Sequence, residues 1–321
     1  MTNVTSITVI AGGVGAARML AGLSLAAPPE SITAIVNTGD DTRLHGLHIS
    51  PDLDTCTYTL AGAINTETGW GLTGETWSAM DALKRYQAVT PADSGAAVTW
   101  FGLGDRDLAT HLYRTHRIGE GAPLSTVTAE ITKAWGLGVR LIPMTDDDVR
   151  TKVTVAGEGE VDFQTYFVRH HHAVSVSSVR FAAAESSKPA PGVLAAIHEA
   201  DIIVVAPSNP IVSIGPVLAV PGIRDALIKR RDDVVAVSPI IAGAALKGPA
   251  DRMLVELGHE ASVLGVTRLY REFASTLVVD DADAASEPAI EALGMRCVVT
   301  PTIMRTPELA KALGQTTLAA V

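Results

Sequence analysis

A chain of 321 residues, 47% hydrophobic and 19% charged, carries enough apolar material for one large core, either as a single large α/β domain or as one bearing an insertion. Its formal net charge of −10, without any Lys/Arg-rich run, disfavours nucleic acid and anionic membranes as partners; a phosphate-bearing ligand would need a metal or a few placed arginines. Two cysteines, Cys56 and Cys297, make no disulfide framework, no apolar run is long enough for a membrane span, and no leader pattern opens the chain, so the expectation is a cytoplasmic protein.

In chain order, Ile7–Ala11 predicts a strand, Gly12-Gly13-Val14-Gly15 a turn and Ala16–Leu25 a helix. Ile32–Val36 predicts the next strand, joined by a parallel crossover. An acidic loop follows, then a helix from Pro51, with Ser50 as its N-cap and Leu53, Cys56, Leu60 and Ile64 as its apolar stripe. Residues 66–96 are looser, with a helix at Ser78–Tyr86. Val98–Leu103 predicts a strand leading into Gly104-Asp105-Arg106-Asp107, and helices are expected through His111–His116 and over Ser125–Trp135. Val139–Pro143, Lys152–Ala156, Val161–Val168 and Val176–Phe181 predict strands, the second and third forming a hairpin. After residue 190 a doubly wound pattern returns. Helix Gly192–Ala200 feeds the buried strand Ile202–Ala206, followed by a Pro-rich segment to Pro221 and a helix to Arg231. Strands Val234–Val237, Leu277–Val279 and Arg296–Val299 and helices over 250–257, 263–273, 284–293 and 307–318 complete the chain. The expected architecture is one domain, 1–321, folded as a Rossmann-like three-layer α/β/α sandwich with a mostly parallel sheet. A mixed α+β insertion is expected at roughly 66–185.

Ligands of open parallel sheets bind beyond the carboxyl ends of the strands, and the polar loops Gly12–Gly15, Asn37–Asp41, Gly104–Asp107, Ser208-Asn209 and Ser238-Pro239 are expected to gather there. Four carboxylates, Asp40, Asp41, Asp52 and Asp54, fall between the second strand and the first turn of the next helix. Singly, each reads as a turn former or cap. Together they repel one another, and magnesium, which takes oxygen ligands and shares them with phosphates, is the natural counter-charge. Residues 52 and 54 lie about 200° apart on a helix, so the spacing alone does not choose which faces a ligand.

A dinucleotide fold is disfavoured, because Arg18 stands where the third fingerprint glycine belongs and Asn37 where a ribose-binding acid belongs; no ATPase P-loop is present either. Arg106 either pairs with a nearby Asp or forks onto a ligand. His170-His171-His172, read as consecutive strand residues, point to alternate faces and cannot easily share one ion. Cys56 reads as a small core residue, and Trp70 and Trp77 as core or as walls for an aromatic ligand.

With those residues together, the chain resembles the CofD/FbiA family of 2-phospho-L-lactate or phosphoenolpyruvate transferases of coenzyme F-420 biosynthesis. The likeness rests on Gly12–Gly15, Asn37-Thr38-Gly39-Asp40-Asp41, Ser50–Thr55, Gly104–His111, Ala206–Pro210 with Ser213-Ile214-Gly215-Pro216, and Ser238-Pro239-Ile240-Ile241. The resemblance implies that the ribityl hydroxyl of the deazaflavin Fo attacks the acyl-bearing phosphate of a guanosine diphosphate conjugate and releases GMP, with magnesium required. It implies metal binding by Asp40 and Asp41, and Asp54 orienting or deprotonating the hydroxyl. Arg106 would hold the acceptor, and Gly12, Gly13, Gly15, Asn37, Ser208 and Asn209 the GMP half. It also implies a homodimer. The closer likeness to actinobacterial sequences suggests an enolpyruvyl rather than lactyl donor. A non-catalytic, YvcK-like nucleotide-sugar-binding regulator would share the glycine turn and the Asp-Asp loop, but has no need of Ser-Pro-Asp-Leu-Asp-Thr.

Overall fold

Seven short runs of aliphatic and β-branched residues pair side by side, all parallel. Their order is Arg296–Val299, Thr276–Val279, Val234–Val237, Ile202–Val205, Ile7–Ala11, Ile32–Val36 and Arg140–Pro143. The computed structural model describes residues 5–91 and 94–321. Because successive strand side chains point to opposite faces, each strand feeds two cores. Val9, Ala34, Val204 and Val235 face the helices Gly13–Ala26, Pro51–Leu60 and Pro307–Leu318 through Leu20, Leu53, Cys56 and Leu313. Ile10, Ile35, Val205 and Ala236 face the helices Val193–Glu199, Ile223–Lys229 and Val263–Tyr270 through Ile197, Leu227 and Val266. Burial of each Val, Leu or Ile side chain among them contributes roughly 1.5–3 kcal/mol, which is why the inner runs are apolar on both faces. The expected three-layer sandwich with a parallel sheet is what forms.

Ile7–Ala11 lies in the middle of this sheet, between Ile32–Val36 and Ile202–Val205. The turns that leave these three strands therefore meet at one edge. A second, antiparallel sheet of Gly159–Asp162, Arg150–Val155 and Val176–Ala182 stands beside that edge. It pins the acidic loop: the Thr151 amide donates to the Gly39 carbonyl at 2.7 Å and Arg150 to the Asp41 carbonyl at 2.5 Å, while Gln164, just past the strand Gly159–Asp162, donates to the Asp40 carbonyl at 2.9 Å.

Several expectations are corrected. Val98–Leu103 forms no strand; Leu103 instead packs with Ile49 and Met80 in a small satellite core, which accounts for the apolar run without a sheet partner. The strand expected over Val161–Val168 ends at Asp162, and Thr165–Arg169 is helical, burying Tyr166 against Phe163 and Val212. The Pro-rich stretch is helical over Pro210–Ala219. Arg140–Pro143, inside the expected insertion of roughly 66–185, is the edge strand of the main sheet, so the added material falls into two pieces around it. Between the acidic loop and the Pro51 helix, Thr42–Leu44 and Leu47–Ile49 form a small hairpin that the sequence reading passed over.

Candidate active site

The first helix begins at Gly13, directly beyond the central strand. A Cβ on Gly12 would lie 2.9 Å from the Ser213 Cβ and 3.0 Å from an Asp52 carboxylate oxygen, and one on Gly15 would lie 2.2 Å from the Pro207 carbonyl. Only glycine lets three chain segments close on this point. Beyond it opens a cavity of about 340 Å³. Its wall includes Gly12, Gly13, Gly15, Ser208 and Asn209, an acidic floor of Asp40, Asp52 and Asp54, and the rings of Trp70, Phe101, Phe163 and Phe167. Arg18 and Lys247 are the Lys and Arg side chains on this wall among the described residues.

Asp40 and Asp52 form the acidic half of the floor. Both are buried. The Asp40 Oδ1 atom has no hydrogen-bond partner among the described residues. Burial and then the neighbouring Asp52 push the Asp40 carboxyl well above its usual range. Burial pushes Asp52 up to about 7, although Asn37, whose Nδ2 donates to it at 3.0 Å, and the Gly13 amide pull the other way. Two buried carboxylates that form no ion pair among the described residues, one carrying an orphaned oxygen, fit a hard divalent ion. Asp41 is oriented differently. Its Oδ2 accepts from Ser50 Oγ at 2.6 Å and lies 2.9 Å from His48 Nε2, so it faces the Thr42–Ile49 hairpin and is absent from the cavity wall. Ser50 therefore gives its hydroxyl to Asp41 and not to the helix as a side-chain cap.

Asp54 meets a cation that the sequence reading overlooked. Arg114, 1% exposed, donates to both Asp54 oxygens, from Nη1 at 3.1 Å and from Nη2 at closer range. Burial raises the Asp54 carboxyl, and Arg114 followed by His111 opposes that rise. The chain of polar contacts continues: His111 Nε2 lies 3.1 Å from an Asp107 oxygen, and Asp107 accepts from the Tyr58 hydroxyl at 2.5 Å. Asp107, His111 and Arg114 share one face of the helix Asp107–Gly119 at i, i+4 and i+7, a spacing visible in the sequence. Asp54, Asp107 and His111 also lie close enough to hold an ion, but Arg114 already neutralises Asp54, which makes this the weaker cation site.

Other candidates are placed less directly. Arg106, expected to hold the acceptor, is exposed and off the cavity wall; its Nη1 donates to the Thr73 carbonyl at 2.5 Å and so tethers the loop that carries Trp70. Its neighbour Asp105 accepts from the amides of Ser78 and Ala79. Because no strand precedes them, Gly104–Asp107 do not belong to the sheet edge as expected; the helix brings Asp107 and His111 to the cavity. Asn37 is buried behind Asp52 and off the wall, its Oδ1 accepting from the Gly39 amide at 2.8 Å. Asn209 precedes Pro210 with φ −55° and ψ 119°, and its Oδ1 caps the following turn through the amides of Ile211 and Val212. Ser208 Oγ is buried without a partner among the described residues and lines the cavity. His170–His172 lie in a turn rather than a strand, with positive φ at His171 and His172. Cys56 is fully buried, and burial raises its thiol far above the reactive range.

The family described as 2-phospho-L-lactate transferase CofD matches residues 7–296. A phosphoenolpyruvate transferase of Streptomyces griseus subsp. griseus is 46% identical over 316 residues, covering 97% of each chain. One of Mycolicibacterium smegmatis is 41% identical over 321 residues, covering 96% of each. Among solved structures, a UPF0052-family protein from Bacillus halodurans superposes with a TM-score of 0.63 at 17% identity, covering 98% of this chain and 99% of the other, a likeness of fold.

Proposed function

Since the chain belongs to the 2-phospho-L-lactate transferase CofD family, we propose that it transfers a phosphoenolpyruvyl group from a guanosine diphosphate conjugate to the ribityl hydroxyl of the deazaflavin Fo. The hydroxyl oxygen bonds to the acyl-bearing phosphorus, its proton passing finally to solvent, the phosphoanhydride bond breaks, and GMP departs with the electron pair. The enolpyruvyl donor is favoured over the lactyl one by the names of the relatives.

The observation that carries this reading is the neighbouring of Asp40 and Asp52 in a cavity that the Gly12–Gly15 turn and several aromatic rings also line. Asp40 and Asp52 are the residues that would hold magnesium, whereas Asp41 is turned to Ser50 and His48. When bound, magnesium supplies charge neutralisation at the diphosphate. The amides of the Gly12–Gly15 turn and the free Ser208 hydroxyl face the GMP half. Arg18 and Lys247 offset the acidic floor for an anionic donor. Trp70, Phe101, Phe163 and Phe167 suit a flat tricyclic acceptor, and Asp54 is the carboxylate placed to meet its hydroxyl. Arg106 serves the acceptor indirectly, by tethering the Trp70 loop. Most of the chemistry is then positioning and electrostatics, as transfer at a diphosphate requires.

The test is incubation with Fo, the enolpyruvyl conjugate and magnesium, following GMP by chromatography. Stoichiometric GMP and a deazaflavin phosphodiester are expected, with both lost on chelation and restored by added magnesium. Binding of the conjugate without GMP release would instead favour the regulatory reading. The family likeness also leads us to propose a homodimer, which a monomer mass in solution would overturn.

A further inference from the structure

Arg114 is the largest fully buried side chain of the described residues, and it does not line the cavity. A guanidinium is rarely placed so deep unless it is paired. Here both arms of its fork lie against the two oxygens of Asp54, and Nη1 also reaches the His48 carbonyl at 3.4 Å and the His111 Nδ1 at the same distance. A planar fork on a carboxylate fixes the plane of that carboxylate as well as its place, which a point charge does not. Asp54 lines the cavity, and Arg114, which holds both of its oxygens, does not.

We infer that Arg114 is a positioning residue for the transfer, setting the orientation of the Asp54 carboxylate toward the acceptor hydroxyl from behind the cavity floor. The helix Asp107–Gly119 carries it, and His111, held by Asp107, packs beside the guanidinium and limits its swing. This rests on the reading of Asp54 given above.

The experiment compares Arg114→Lys, Arg114→Met, Asp54→Asn and the double variant Arg114→Met/Asp54→Asn, measuring kcat and KM for both substrates, with circular dichroism to confirm folding. Arg114→Met is expected to lower kcat by about a hundredfold, the cost of a misplaced catalytic group, while KM for the guanosine conjugate stays within about threefold. Arg114→Lys, which keeps the charge and loses the fork, is expected to recover part of the loss. The double variant should be no slower than Asp54→Asn alone, because the arginine acts only through that carboxylate. A folded Arg114→Met with wild-type kcat, or a double variant slowed by the product of the two single losses, overturns the inference. Should Arg114→Met fail to fold, Arg114→Lys decides: wild-type kcat there shows that the fork is not needed. If Asp54→Asn itself keeps full activity, the reading of Asp54 has failed. If Asp54→Asn is slow and both Arg114 variants are fast, only the role of Arg114 has failed.

Discussion

Asp40 and Asp54 are both buried acids at one cavity, yet neutralising each should have opposite effects on stability. The Asp40 carboxyl is pushed up by burial and by Asp52, and one of its oxygens has no partner. Asp40→Asn removes that repulsion, so its melting temperature is expected to equal or exceed wild type while turnover falls by about a hundredfold or more. Asp54→Asn leaves Arg114 buried without its counter-charge, which typically costs about 3–5 kcal/mol, so it should lose both turnover and several degrees of melting temperature. Calorimetry beside a GMP-release assay separates the two; equal melting shifts would contradict the assignment of cation pairing at Asp54 and its lack at Asp40. The four aspartates were legible as a group because they crowd a short stretch. Their sorting into Asp40 with Asp52, Asp41 with His48, and Asp54 with Arg114 was not, since the partners come from a hairpin and a helix distant in the chain. Arg114 carried a signal in its spacing from Asp107 and His111, but a periodic charge on an amphipathic helix reads first as solvated surface.

Elements built on strong periodicity were legible, whereas those defined by capping across a loop were not. The stretch around Trp77 is held by such a cap: Asp105 accepts from Ser78, Ala79 and Thr76 and fixes the start of the helix Ser78–Leu83. Those bonds hold the Asp105 carboxyl down at about 2. Its contribution is therefore complete above the ordinary carboxyl range near pH 4 and is lost as pH falls toward 2. Tryptophan emission is expected to shift across that interval in the wild type, and Asp105→Asn should show the acid-type spectrum already at neutral pH. A spectrum for Asp105→Asn that matches wild type at neutral pH would remove the cap from the account. The strand expected over Val98–Leu103 failed for a related reason: alternation and apolarity cannot distinguish a strand from a loop that drops Leu103 into a satellite core.

At the scale of the molecule, the doubly wound sheet was readable because its five inner strands are buried on both faces and read as nearly continuous apolar runs. What the runs could not reveal was the third partner of the edge, the antiparallel sheet whose Arg150 and Thr151, with Gln164 just beyond its Gly159–Asp162 strand, hold the acidic loop in place. The central place of Ile7–Ala11 also has a consequence for biogenesis. One neighbour of that strand is made soon after it, the other only when residues 202–205 emerge. For most of translation the nascent chain presents a bare, apolar β-edge, the kind of surface that invites pairing with other chains. Refolding from denaturant should accordingly give yields that improve as the protein is diluted, and shielding of that edge by a chaperone until the later strand arrives would serve the newly made chain in the cell.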